Sequence, residues 1–189
     1  MTSYTRLATL TLFTLAFCGL ATAAPLPQAP CNATGASKPT AQERIIQRDI
    51  QEAIDRGVEE WQAKDLDAVS REFPPDFTVR LLDGTVLNRD QVLAGMRQDL
   101  DSILSIDPDR TFTRIECLTL NGKEADVFTW QQYVRTMPDR KNGSPHEVIT
   151  SVRHRETWVY TKDGWRAKRV EELEQGPTFL DGEPYDPPR

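Results

Sequence analysis

Two titratable side chains stand two residues apart in the run from Val148 to Val170: His154 and Glu156. On a β-strand that spacing turns both to the same face. An enclosed glutamate is held protonated by desolvation and can act as an acid, while a histidine can take up a proton near neutral pH. Together they could supply both proton steps to a bound carbonyl or hydroxyl compound. A second reading is purely structural: Glu156 pairs with an arginine of a neighbouring strand, such as Arg114 or Arg169, and satisfies His154 in turn. Arg153 and Arg155, at the alternate positions, belong to the other face.

The remaining chemistry-bearing residues form no second set of this kind. Trp61, Phe77, Trp130, Tyr133 and Trp158 belong to a spread of aromatics that builds a core and can also line a ligand cavity. These five are the candidate ligand-binding residues. Ser151 and Cys117 lack the neighbours of a nucleophile elbow or a cysteine–histidine pair. The glycines do not cluster into a phosphate-binding loop. Only His146 and His154 are histidines, and no cysteine spacing has the pattern of a metal site, so neither metal nor cofactor is expected.

The elements that must position His154 and Glu156 can be read in order. Val148–Val170 is rich in Val, Thr, Trp and Tyr and is broken by Lys162-Asp163-Gly164, which predicts a long hairpin. Ahead of it, Thr111–Leu120 and Glu124–Val134 flank Asn121-Gly122, a second hairpin. A polar loop, Met137–His146, joins the two. Earlier still, Thr40 with Glu43 is a capping box, and Ile46, Ile50, Ala53, Ile54, Val58 and Trp61 form the apolar stripe of a helix ending near Ala63. Asp65 caps a short helix, Leu66–Phe73, which Pro74-Pro75 stops. Phe77–Leu82, Asp83-Gly84 and Thr85–Leu87 read as a small hairpin, and Asn88 caps a third helix reaching about Ile103. Helices followed by a run of antiparallel strands make an α+β domain. A curved antiparallel sheet wrapped over three N-terminal helices leaves a conical space suited to a small molecule. Ile50, Ile54, Trp61, Met96, Leu100, Val127 and Trp158 are expected in its core.

The ends of the chain read differently. Arg6, the apolar stretch Leu7–Leu20 and Ala21-Thr22-Ala23 have the form of a secretory signal over residues 1–23, so export to the periplasm or the extracellular space is expected. Residues 24–39, with four prolines, read as a flexible leader, residues 40–172 as the domain, and residues 173–189 as an acidic, proline-rich tail. A net charge of −6 argues against binding nucleic acid or, after signal cleavage, an anionic membrane. Cys31 and Cys117 remain after cleavage, and an oxidising compartment would allow them to pair.

The order of elements, with Lys64-Asp65-Leu66-Asp67-Ala68-Val69, Asp76-Phe77-Thr78-Val79, Asp83-Gly84-Thr85, Arg89-Asp90-Gln91, and Thr157-Trp158-Val159 through Gly164-Trp165-Arg166, resembles the nuclear transport factor 2-like superfamily. Within it, the small SnoaL-like secreted bacterial members are the nearest in character. The resemblance spans about Glu43 to Glu172. It implies a cone-shaped α+β roll, a hydrophobic cavity and frequent dimerisation, so a homodimer through the Arg153, Arg155, Thr157 and Val159 face is expected. Steroid isomerases of the superfamily place a carboxylate base at the end of the first strand, where this chain has Leu81. Their neutral acid on the third long strand matches Glu156. With half of that pair absent, the expected function is an exported domain that binds a small apolar or mixed-polarity ligand. The alternative is a cofactor-independent isomerase, dehydratase or cyclase working through His154 and Glu156.

Overall fold

Two reciprocal caps set where the long helices start. In the computed structural model, which describes residues 39–139 and 141–185, the Thr40 hydroxyl accepts from the Glu43 amide and the Glu43 carboxylate accepts from the Thr40 amide. Helix α1 (Ala41–Gln62) follows. Asn88 and Gln91 repeat the device at the head of α3 (Arg89–Ser102). Each box satisfies donors that a helix start otherwise leaves without partners. Between these helices lie α2 (Leu66–Glu72), capped by Asp65, and the strands β1 (Thr78–Arg80) and β2 (Val86–Asn88), joined by a turn at Gly84.

After α3 and the two-residue β3 (Ser105–Ile106) come four long strands. They are β4 (Phe112–Asn121), β5 (Glu124–Pro138), β6 (Pro145–Thr161) and β7 (Gly164–Gln175). Each pairs antiparallel with the next. The strands β5 and β6 run longer than the sequence suggests: Met137 and His146, expected in a polar loop, are themselves cross-strand partners. The sheet is mixed because β1 lies parallel to β7, Val79 opposite Val170. That pairing covers a backbone edge of β7 that would otherwise be open to solvent or another chain. The C-terminal segment also joins the sheet. Strand β8 (Thr178–Leu180) pairs with β6 at Val148 and Ile149, and β9 (Glu183–Tyr185) pairs with β8. Gly176, at the crossover, donates its amide to the Ser151 carbonyl at 2.9 Å. A Cβ there would fall 2.2 Å from Ser151 Oγ and 3.1 Å from the Trp130 ring, so a larger residue would force the serine hydroxyl into another rotamer.

The sheet curls into a half-barrel around the helices. The register of β6 against β7 shifts twice, between Arg153 and His154 and between Thr157 and Trp158. Such shifts sharpen local twist, and here they bracket the stretch His154–Thr157. Helix α1 packs chiefly on β4. Its Gln51 side chain donates to the Thr113 carbonyl at 2.8 Å and accepts from the Ile115 amide at 3.0 Å, satisfying backbone groups beside the β4 irregularity. Ile50, Ile54, Trp61, Met96, Leu100, Val127 and Trp158 are all buried in one cluster between helices and sheet. Residues 1–23, where a secretory signal is expected, almost all of the expected leader, and Cys31 lie outside the described residues. Cys117 is disulfide-bonded.

Candidate functional site

Alternation along β6 turns Thr150, Val152, His154, Glu156 and Trp158 toward the helices. Register places Tyr133, Gln131, Thr129, Val127 and Ala125 of β5 directly opposite them. This inner face is apolar at one end, with Ala125, Val127 and Trp158 in the core cluster, and turns polar from Glu156 onward.

Both carboxyl oxygens of Glu156 accept from protein donors. Thr129 Oγ1 donates to Oε1 at 2.8 Å, and Trp158 Nε1 donates to Oε2 at 2.7 Å. His154 Nδ1 lies 3.9 Å from Glu156 Oε1. Neither Arg114 nor Arg169 reaches this carboxyl, because both pair with outer-face positions, Trp130 and Thr157. The protonation of Glu156 is therefore governed by burial rather than by an arginine. Burial pushes Glu156 above the usual carboxylate range, with the Thr129 and Trp158 hydrogen bonds opposing. Burial pulls His154 down to about 4. The imidazole is accordingly neutral at physiological pH, and the site favours the uncharged form of each group.

Further along the same face, the Tyr133 hydroxyl accepts from Trp61 Nε1 at 2.6 Å. Arg135, only 3% exposed, donates from Nη1 to Thr150 Oγ1 at 2.9 Å, and its guanidinium lies 4.8 Å from the Tyr133 ring centre. Asp99 of α3 is electrostatically coupled to this group. Burial raises its carboxyl to about 6 while the Arg135 charge opposes the rise. Asp99 Oδ2 and Gln131 Oε1 are buried acceptors with no hydrogen-bond partner among the described residues.

Of the residues named from sequence, His154, Glu156, Trp61, Tyr133 and Trp158 share the inner face or abut it. Phe77 is 2% exposed and stacks on Phe73 with ring centres 4.2 Å apart, a packing role beneath the sheet. Trp130 lies on the outer face, one residue out of phase with Thr129. Arg153 sits 5.4 Å over its ring and is bound by Glu116 at 2.8 Å and Glu174 at 2.7 Å. Sequence reasoning missed Thr129, Gln131, Arg135 and Asp99. A signal existed: the odd positions of β5 run Ala125, Val127, Thr129, Gln131, Tyr133, Arg135, so a core face becomes polar halfway along. Asp99 likewise interrupts the buried stripe Val92, Met96, Ile103.

Residues 43–171 match the family model of the SnoaL-like domain. Among solved structures, a candidate scytalone dehydratase from Novosphingobium aromaticivorans superposes with a TM-score of 0.62 at 14% identity, over 74% of this chain and 91% of that one. Aln2 from a Streptomyces species gives 0.52 at 15% identity, over 73% and 94%. A nuclear transport factor 2-like superfamily protein from Salmonella enterica gives 0.52 at 15% identity, over 68% and 90%. No curated protein matches the chain. At these identities the likeness is one of fold.

Proposed function

The chain belongs to the SnoaL-like domain family of the nuclear transport factor 2-like superfamily, and from that premise we propose that its inner face binds a small ligand of mixed polarity that carries hydroxyl or other hydrogen-bond donors. The observation that carries this is the pair of buried acceptors with no donor among the described residues, Gln131 Oε1 and Asp99 Oδ2. A buried acceptor left unsatisfied costs about 1–3 kcal/mol. A ligand that donates to these atoms recovers that energy, while its apolar body lies against the aromatic and aliphatic residues around them. Leu81 at the position matching the isomerase base speaks for binding as the primary role. It is half-buried against the core and has no proton to move.

A second reading rests on the pair at β6. Glu156 shifts up and His154 shifts down, so a proton donor and a neutral acceptor stand side by side. In a dehydration, His154 would take a proton from carbon while Glu156 protonates the departing hydroxyl as the C–O bond breaks. The solved relative named as a candidate scytalone dehydratase is consistent with that reaction class.

The test is a metabolite screen read by both thermal shift and product formation. A ligand that raises the melting temperature of the wild type is expected to bind about tenfold more weakly to Gln131→Leu and to Asp99→Leu, one lost acceptor in each case. Loss of these effects, or no stabilising compound in a set rich in hydroxylated apolar molecules, would count against the binding reading. Product formation abolished in both His154→Ala and Glu156→Gln would establish the enzyme instead.

The signal-like pattern of residues 1–23 supports a mature domain outside the cytoplasm. The outer face of β5 and β6, where Trp130 lies under Arg153, supports a homodimer. N-terminal sequencing of exported protein should begin at Ala24, and sedimentation at micromolar concentration should give a dimer. An intact Met1 on exported protein would remove the first expectation, and a pure monomer the second.

A further inference from the structure

The turn between β5 and β6 meets the turn between β8 and β9, and three side chains align where they touch. His146 Nδ1 lies 2.6 Å from Asp181 Oδ2. His146 Nε2 lies 3.1 Å from Ser144 Oγ. Serine to the ε nitrogen, and the δ nitrogen to a carboxylate, is the connectivity of a Ser–His–Asp relay, which is recognised by geometry and roles rather than by order in the chain. None of these residues belongs to the inner-face site. Eight residues of extended strand, roughly 27 Å, separate His146 from His154.

The arrangement is held from both sides. Asp181 Oδ1 accepts from the Glu147 amide, and the Asp181 amide donates to the Glu147 carbonyl, each at 2.9 Å. Asp181 has a φ of +51°, a left-handed conformation uncommon outside glycine and maintained here by those bonds. With Nδ1–H donating to Asp181 Oδ2, the imidazole presents an ε lone pair to Ser144. The single Ser144 hydroxyl proton can go either to His146 Nε2 or to Asn142 Oδ1, 2.8 Å away, which also accepts from the Ser144 amide; attack requires the first of these two orientations. The serine side chain is half-exposed, and Asp181 is more open still.

We propose that Ser144, His146 and Asp181 form a second site, which transfers the acyl group of small activated carboxylic esters to water. Ser144 Oγ attacks the ester carbonyl carbon as His146 Nε2 takes the hydroxyl proton. The tetrahedral adduct collapses, the carbonyl–oxygen bond to the leaving group breaks, and His146 returns the proton to that group. Water then attacks acyl-Ser144, again giving its proton to His146, and the carboxylic acid leaves as Ser144 is restored. Asp181 is a positioning residue: it fixes the tautomer and stabilises the imidazolium. The carboxylates of Asp181 and Asp139 both act on the His146 imidazole, while that of Glu147 is taken up by Arg110, so uncharged or cationic esters fit better than anionic ones.

The test is hydrolysis of p-nitrophenyl acetate by the full chain. Ser144→Ala and His146→Ala should each lower the rate at least about tenfold, and mass spectrometry after acid quenching should find acetyl on Ser144 of the wild type. Asp181→Asn should slow the reaction and also move the midpoint of its pH profile downward, since the Asp181 carboxylate raises His146 above the usual histidine range. Hydrolysis that does not pass through His146 would not move that midpoint. p-Nitrophenyl succinate should react more slowly than the acetate. A Ser144→Ala chain that hydrolyses at the wild-type rate would show imidazole acting alone and overturn the proposal. So would acetyl found only at other residues, or a wild-type rate no greater than that of His146→Ala.

Discussion

Replacing Trp158 by alanine is expected to cost about 3–5 kcal/mol of folding stability in denaturant unfolding. The side chain is 6% exposed and lies among the core residues Ala125 and Ala167, its small cross-strand partners. Those alanines leave room for the indole and cannot expand to fill its absence, so a cavity remains. The substitution also removes the Nε1 donor at 2.7 Å from Glu156 Oε2, leaving a buried acceptor unsatisfied. Trp158→Phe separates the two effects. It keeps most of the packing and loses the hydrogen bond, so its cost should be roughly 1–3 kcal/mol. A loss below about 1 kcal/mol for the alanine variant would show that the site is not a core position at all.

Acidification provides the second large effect. The His154 value falls from 6.5 to about 4 on folding because burial penalises the imidazolium. Below pH 6.5 the unfolded chain gains this proton and the folded chain does not, so the unfolded state is increasingly favoured until the pH passes the folded value. Integrated over that window, His154 should contribute a stability loss of about 3 kcal/mol. Asp99 and Glu156 act with the opposite sign. Their folded values are raised, so the stability they confer is present at low pH and lost as pH rises, for Asp99 through about 6. The windows overlap, and the histidine contribution is best read as a difference. Subtracting the pH–stability curve of His154→Gln from that of the wild type should leave a limb that falls between pH 6.5 and about 4. Asp99→Asn should make the wild-type acid limb steeper. Parallel curves for the wild type and His154→Gln would mean that the imidazole is solvated enough to protonate in place.

Local chemistry wrote much of this fold into the chain. Thr40 with Glu43, Asp65, and Asn88 with Gln91 mark helix starts because capping acts over three residues. Gly84, Gly122 and Gly164 mark hairpin turns because a positive φ is needed there and is easiest for glycine. The period of two along β6 was sufficient to put His154 and Glu156 on one face, and with Trp158 the structure keeps them there. What alternation cannot say is which parity of a neighbouring strand faces inward. That depends on register, and a shift of one residue exchanges every side chain between faces. For this reason Trp130 could be named as an aromatic and yet be found outside, while Thr129 went unnoticed as the donor to Glu156. Asp99 comes within electrostatic reach of Tyr133 and Arg135 only in the folded chain, and β1 finds its parallel partner only at the far end of the chain. Ser144, His146 and Asp181 meet because the C-terminal strands fold back onto β6. Such contacts are chosen by the burial of whole faces and the curl of the sheet, energies shared by many residues and carried by no local stretch of sequence.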